Sequence, residues 1–470
     1  MLWRMWLDAV APLRGACSRQ RTFYWMVLCL IGLCIRTELA GVTSLVRVLG
    51  LEPTLYKRLL HLFHSPAIKL DRLTEIWARW CCEVFPACSV GPYRVWIADG
   101  LKAPKEGRKM PAVKKLHQES SNNSKPTFIF GHSFQCISLL TQTAQGFVAA
   151  VPLAARICEG VVWSNRDQRT QLDHLVALFL GLTRPLGFPV LLVADAYYAT
   201  RKVILPLLGA GHHLITRARN NAVAYHPAAK PEQPRRGRPR LYGERVRLRD
   251  LFSTTSTSTF TSAPSPLYDD KNVVIAFHCV DLLWRPVGRL VRFVLVCHPL
   301  RGSMILMSTD TTMDPLDLII LYGYRFKIEL SFRHALHVVG TYAYHFWMMA
   351  MTPLPRLSGN QYMHRKSDHY RRMARRKLAA YHNYVQLGCV AQGLLQYLAI
   401  TARPTVWSLF RSWLRTMRPE LPPSELVVAH ALRSSLPDFL RLGASDANLT
   451  KFLRTFLFSP RHHLRQPRAA

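Results

Sequence analysis

From residue 93 the apolar side chains stop recurring at helical spacing and gather into short β-branched and aromatic runs, separated by polar or glycine-bearing stretches. YRVWIADG (93–100), PTFIFGHSFQCISLL (126–140) and GFVAAVPLAARI (146–157) read as three successive strands. A helix, TQLDHLVALFLGL (170–182), follows, then a strand, FPVLLVADA (188–196), a helix, RKVILPLLGAG (201–211), and a strand, HHLITRAR (212–219). Strands and helices in this order predict a mixed α/β sheet.

The pattern stops near residue 218. Residues 218–302 hold RRGRPRLYG, the Ser/Thr run STTSTSTFTS and the strand-like NVVIAFHCVDLLW and LVRFVLVCH, and read as a β-rich insertion with a flexible segment inside. MILMSTD (304–310) then resumes the strand pattern. Asp314 followed by Pro315 signals a helix start, with the carboxylate as N-cap and proline in the first turn. LYGYRFKIELSFRHAL (321–336) is therefore expected on a helix running from about 315.

Both flanks read as helical. In SLVRVLGLEPTLYKRLLHLF (44–63) two apolar helical stretches surround a Gly50 to Pro53 break, with Lys57 and Arg58 on the second. That spacing suits a DNA-reading helix-turn-helix and equally a small helical bundle. After residue 350 the chain reads as helical and basic. The most apolar run, FYWMVLCLIGLCI (23–35), rises about 20 Å as a helix, short of the roughly 30 Å hydrocarbon layer. It is read as a buried helix without a signal-peptide cleavage site after it, and the protein as cytoplasmic, with no membrane partner. The cysteines are scattered and odd in number, which favours free buried thiols over a zinc site.

Charge names the partner. With 62 Lys/Arg against 28 Asp/Glu, the chain carries a formal +34 that repels itself unless a polyanion shares the surface. The excess is local. Residues 201–250 hold twelve Lys/Arg and three acids, 101–125 seven and two, and 361–380 seven and one, a distribution suited to phosphate contacts. Nucleic acid is the expected ligand.

Against this background a few acids stand out. Asp99 closes VWIAD and Asp195 closes VLLVAD, so two apolar strands end in Ala-Asp, at the strand ends where α/β sheets collect ligand-binding and catalytic groups. Glu329 is the one acid among the aromatics and cations of residues 321–336. At 100° per residue Tyr322, Arg325 and Glu329 fall at about 0°, 300° and 340° on a helix, a single narrow face. Glu329 reads either as a residue salt-bridged to Arg325, Lys327 or Arg333, or as the third member of an oxygen-rich site. Two Asp from strands and one Glu from a helix suit a pair of hard divalent cations, of which Mg2+ is the first choice.

These residues resemble the DDE transposases of bacterial insertion sequences, which have a ribonuclease-H-like core. The branch that fits best carries its third acid in Tyr-x(2)-Arg-x(3)-Glu-x(6)-Lys after a β-rich insertion. The matching positions are Tyr322, Arg325 and Glu329 in YGYRFKIE, Asp99 in IADG and Asp195 in VADAYYA. The likeness covers roughly residues 93–350. It departs from the pattern at Leu336, where lysine is expected; Arg333 and His337 are the candidates to supply that phosphate contact. The resemblance implies a ribonuclease-H-like α/β fold with helical N- and C-terminal regions, divided as a helical DNA-binding domain 1–90, a catalytic domain 91–350 with the insertion at 218–302, and a helical basic region 351–470. It implies Asp99, Asp195 and Glu329 as catalytic ligands of two Mg2+ ions, with Mn2+ as a substitute, and Tyr322 and Arg325 as DNA contacts near the transposon end. The implied partners are terminal inverted repeats and target DNA, bridged by a homodimer in the bacterial nucleoid.

RRGRPR (235–240) adds a further DNA feature. It resembles an AT-hook, in which Arg236, Arg238 and Arg240 would lie along a narrow minor groove. A basic loop with a Gly-Arg-Pro turn is the plainer reading. For the protein as a whole, a ribonuclease-H-like nuclease without strand transfer, or a non-catalytic DNA-binding derivative of a transposase, also fits these residues.

Overall fold

The computed structural model describes residues 1–118, 126–229, 239–267, 270–413, 416–442 and 447–457. The chain folds into two compact units, one formed by Ala87–Asp99 with Leu172–Glu329, the other by Met1–Pro86, Gly100–Gln171 and Leu330–Ala470.

A mixed sheet forms the first unit. Its centre is parallel: Val190–Val193 lies between His213–Arg217 and the opening residues of Tyr93–Pro104. Parallel strands are covered on both faces and so read as unbroken apolar runs; accordingly Val95 to Ala98 and Leu191 to Ala194 are all fully buried. The helix Gln171–Thr183 covers them with Phe179, whose ring meets Trp96 edge-on at 5.8 Å between centroids. Burying each such side chain contributes about 1.5–3 kcal/mol. Beyond His213–Arg217 the sheet turns antiparallel through Gly302–Ser308, Arg289–His298 and Val274–Trp284, then Val223–Pro227 and Tyr242–Arg247. The β-rich insertion therefore extends the central sheet. The segment read as flexible is partly ordered, because the end of STTSTSTFTS enters the strand Thr261–Pro264 and pairs with Val274–Trp284. Threonine is β-branched and suits a strand, which a low-complexity reading overlooks.

Five helices open the second unit: Leu2–Val10, Gln20–Ile35, Gly41–Val48, Tyr56–His64 and Leu70–Val84. Every residue from Trp25 to Ile35 is buried, as an all-round apolar helix requires. Among the described residues no single helix is long and apolar enough to cross a membrane. The long helix Asp368–Thr401 is likewise buried from Asn383 to Gln396. Its polar side chains find carbonyls there, Asn383 on Phe63 at 2.8 Å and Gln386 on Leu153 at 2.9 Å. The basic helical tail expected after residue 350 begins later, at Asp368, where Ser367 accepts from the Tyr370 N–H; residues 351–360 have no regular structure. All eleven cysteines are free and nine are buried. The architecture is the expected α/β one, a ribonuclease-H-like mixed sheet with a β-rich insertion, preceded and followed in the chain by helices.

Candidate active site

Strand register brings the two aspartates to one level. Val95, Trp96 and Ile97 pair in parallel with Leu191, Leu192 and Val193, so Asp99 and Asp195 each stand two residues beyond the last pair, Ile97 with Val193. Neighbouring strands lie about 4.8 Å apart and side chains alternate between faces, so equal offsets place the two carboxylates at one edge and on one face. The turn after Asp195 is held locally: its Oδ1 accepts from the Tyr197 N–H at 2.9 Å, and its carbonyl accepts from the buried Thr216 hydroxyl at 2.6 Å. Asp310, which also closes an apolar run, is excluded by strand direction. Its strand is antiparallel to His213–Arg217, pairing Ser308 with Ile215 and Leu306 with Arg217, and leaves at the opposite edge.

Glu329 is linked to Asp99 through Arg325. Arg325 Nη1 donates to Asp99 Oδ2 at 3.0 Å and Nη2 donates to Glu329 Oε1 at 3.0 Å. The Asp99 and Arg325 side chains are 19% and 21% exposed, whereas Glu329 is 58% exposed, so the inner half of this bridge is the one shielded from water. Burial opposes the Arg325 charge, but Asp99, Tyr322, Glu329 and Asp195 more than offset it and hold the guanidinium above its ordinary range. Burial also pushes the Tyr322 phenol up, against the neighbouring charges of Arg325 and Arg217, and keeps it neutral. Arg217, at the end of the third parallel strand, also belongs to this environment and has no motif to mark it in the sequence. The available signal was its position: it closes LITR at the same strand edge as the two aspartates.

The route by which these side chains meet differs from the expected one. Asp314 caps the helix as predicted, its carboxylate accepting from the Leu316 N–H at 2.8 Å. The helix Pro315–Gly323 then tightens into a 3-10 turn, Tyr324–Phe326, before Lys327–His334 resumes α geometry and Ala335–Val339 widens into a π turn. Gly323 sits at the first change, where a Cβ would lie 2.5 Å from Leu267 Cδ2. Angles counted at a constant 100° therefore do not carry from Tyr322 to Arg333 or His337. Arg333 is exposed in the last turn of Lys327–His334 and His337 is exposed in the π turn, with Leu336 half-buried between them. Both belong to the second compact unit, whereas Asp99, Asp195, Tyr322, Arg325 and Glu329 lie in the first. Arg236 and Arg238 fall outside the described residues; Arg240 is exposed, just before the strand Tyr242–Arg247.

Three carboxylates are hard oxygen donors, chemically suited to Mg2+ or Mn2+. Here the positive charge among them is the Arg325 guanidinium, and among the described residues no three His, Cys, Asp or Glu side chains are gathered as ligands of one ion. The carboxylates suit a divalent cation by donor type, while between Asp99 and Glu329 it is Arg325 that supplies the neutralising charge.

No curated protein matches the chain at a significant level. A family model does: that of the DDE superfamily endonuclease, over residues 12–262, just over half of the chain. The matched stretch contains Asp99 and Asp195 and ends before Glu329. The chain belongs to the DDE superfamily endonuclease family.

Proposed function

We propose that the protein is a DNA transposase that cuts at the inverted-repeat ends of an insertion sequence and joins the freed 3′ hydroxyl ends to target DNA. Nuclease chemistry on DNA, generally with divalent metal, comes with the family. The assignment of residues rests on one observation above the others: Arg325 holds Asp99 and Glu329 on one guanidinium, within the field of Asp195. In this reading Asp99, Asp195 and Glu329 hold two Mg2+ ions, with Mn2+ as a substitute. When bound, such a pair provides Lewis acids for the attacking water or 3′ hydroxyl and for the leaving oxygen. Arg325 and Tyr322 grip the DNA strand beside the acids, one by charge and the other by ring and hydroxyl. Arg333 or His337 takes the phosphate contact that the family gives to lysine, and Arg236, Arg238 and Arg240 follow the minor groove. Hydrolysis at the element's end leaves a 3′ hydroxyl, whose oxygen forms a bond to a target phosphorus as the target P–O bond breaks. Residues 1–90 and 351–470 serve DNA binding around a catalytic part at 91–350, and two copies bridge two ends.

Incubating the protein with Mg2+ and a duplex carrying the gene's flanking repeats, together with a target plasmid, tests this. Nicking at the repeat end followed by joined product is expected. Nicking without joining would leave a nuclease, and binding without nicking would leave a DNA-binding derivative.

A further inference from the structure

Two helices of the second unit bring exposed cations together near their starts. Gln20–Ile35 begins with Arg19 as N-cap and Arg21 in the first turn, and Tyr56–His64 has Lys57 and Arg58 in its first turn; neither first turn contains an acid. A helix N-terminus is the positive end of its dipole, so lysine and arginine there raise the local potential instead of lowering it. The start of Gln20–Ile35 and one side of Tyr56–His64 line a groove of about 400 Å3, with Arg19, Arg21, Lys57, Arg58 and His61 over the buried ring of Trp25. No acid lines it. Among the described residues none of the four arginine and lysine side chains forms an ion pair, although all four are exposed.

We infer that this groove seats a phosphate of the DNA backbone and does so without reading sequence. The inference rests on DNA being the substrate and specifies how the N-terminal helices hold it. Base readout needs a helix face that protrudes into the major groove and offers side chains in planar, directional pairs. Lys57, Arg58 and His61 instead line a recess shared with the start of another helix, and the neighbouring Thr22 and Ser65 hydroxyls match phosphate oxygens. Cations converging from two helices, beside the N-terminus of Gln20–Ile35, form a phosphate seat. The helix pair at 41–64 resembles a DNA reader in spacing, but its second helix contributes charge, not recognition.

The test is anisotropy titration in EDTA, so that binding is measured apart from cleavage. Two labelled duplexes of equal length are used, one carrying the flanking repeat and one scrambled, over a range of salt concentrations. The variant K57A/R58A is expected to bind both about tenfold more weakly, by the same factor, with a salt slope shallower by about 1 to 2. R21Q, on the other helix, should weaken both duplexes in the same proportion to each other. Near-UV circular dichroism checks that the variants keep the fold. Affinity unchanged on both duplexes, or lost on the repeat alone, overturns the inference while wild-type binding leaves the DNA reading intact. A wild type that binds neither duplex sinks both.

Discussion

Arg325 and Asp99 are 226 residues apart in sequence and 3.0 Å apart in space. The same guanidinium holds Glu329 one helical turn away, as the salt-bridged reading of Glu329 expects. A surface i,i+4 pair alone contributes little. What makes this one different is the other end of the bridge: Asp99 lies within the strand Tyr93–Pro104, just past its parallel pairing and level with a second aspartate.

Removing that cation leaves Asp99 and Glu329 without their shared partner. Arg325→Ala is expected to destabilise the protein by about 1–3 kcal/mol, as expected for a charged hydrogen-bonding group stripped of its partner. Asp99→Asn in the same background should recover part of the loss, because it removes one of the charges that Arg325 neutralises. Urea denaturation of the four proteins in a double-mutant cycle gives the coupling. Strict additivity would mean that the bridge contributes nothing in solution.

Neutralising the acids separates chemistry from binding. Asp99→Asn and Glu329→Gln keep shape and remove charge, and each should lower Mg2+-dependent nicking by at least about a hundredfold. Affinity for the same duplex in EDTA should stay within a few-fold of wild type. Nicking that survives both substitutions would remove these residues from the active site.

Lys105 is 5% exposed; its ammonium donates to the carbonyls of Tyr342 and Tyr344 and faces the Tyr381 ring at 5.0 Å. Burial pulls its pKa down to about 7. The unfolded chain keeps the proton to about 10.4. Between those values the unfolded state binds more protons, so stability rises with pH across that window; below it both states are charged, and above it both are neutral. The stability of wild type relative to Lys105→Met should therefore grow between pH 6.5 and pH 9, as read by denaturation at both. A constant difference would show that Lys105 does not titrate in the window.

Gly340 ends the π turn with φ +66°, where an added Cβ would overlap Arg36 Nη2. Arg36 is itself buried, with Nε donating to the Val339 carbonyl at 2.8 Å and Nη2 to the Tyr384 hydroxyl at 3.1 Å. Gly340→Ala should cost about 1–3 kcal/mol from backbone strain, with displacement of Arg36 in addition. Gly91 has φ +53° and nothing within 4 Å of where a Cβ would stand, so Gly91→Ala isolates the backbone part. Equal melting shifts for the two variants would argue that Arg36 moves aside freely.

Much of this site was visible in the residues before any fold was known. Parallel strands buried on both faces leave continuous apolar runs, and a charge closing such a run is conspicuous, which is why Asp99 and Asp195 stood out. Asp314 before Pro315 announced its helix for an equally local reason, the capping of free N–H groups. Arg217 and Thr216 are not legible in this way, because arginine and threonine at the end of a strand carry no pattern of their own. The helical wheel was right to group Tyr322, Arg325 and Glu329, yet it assumed one pitch where the backbone uses three.

Local chemistry in the chain settled which segments are strands, which helices stay out of water, where carboxylates end apolar runs, and that the charge balance suits a polyanionic partner. Only the tertiary structure decided which strand ends meet. Asp99, Asp195 and Asp310 all close apolar runs, and strand direction alone sends Asp310 to the far edge while register sets the other two side by side. Register and direction come from hydrogen bonds between segments about a hundred residues apart, and periodicity along one segment holds no information about its neighbour.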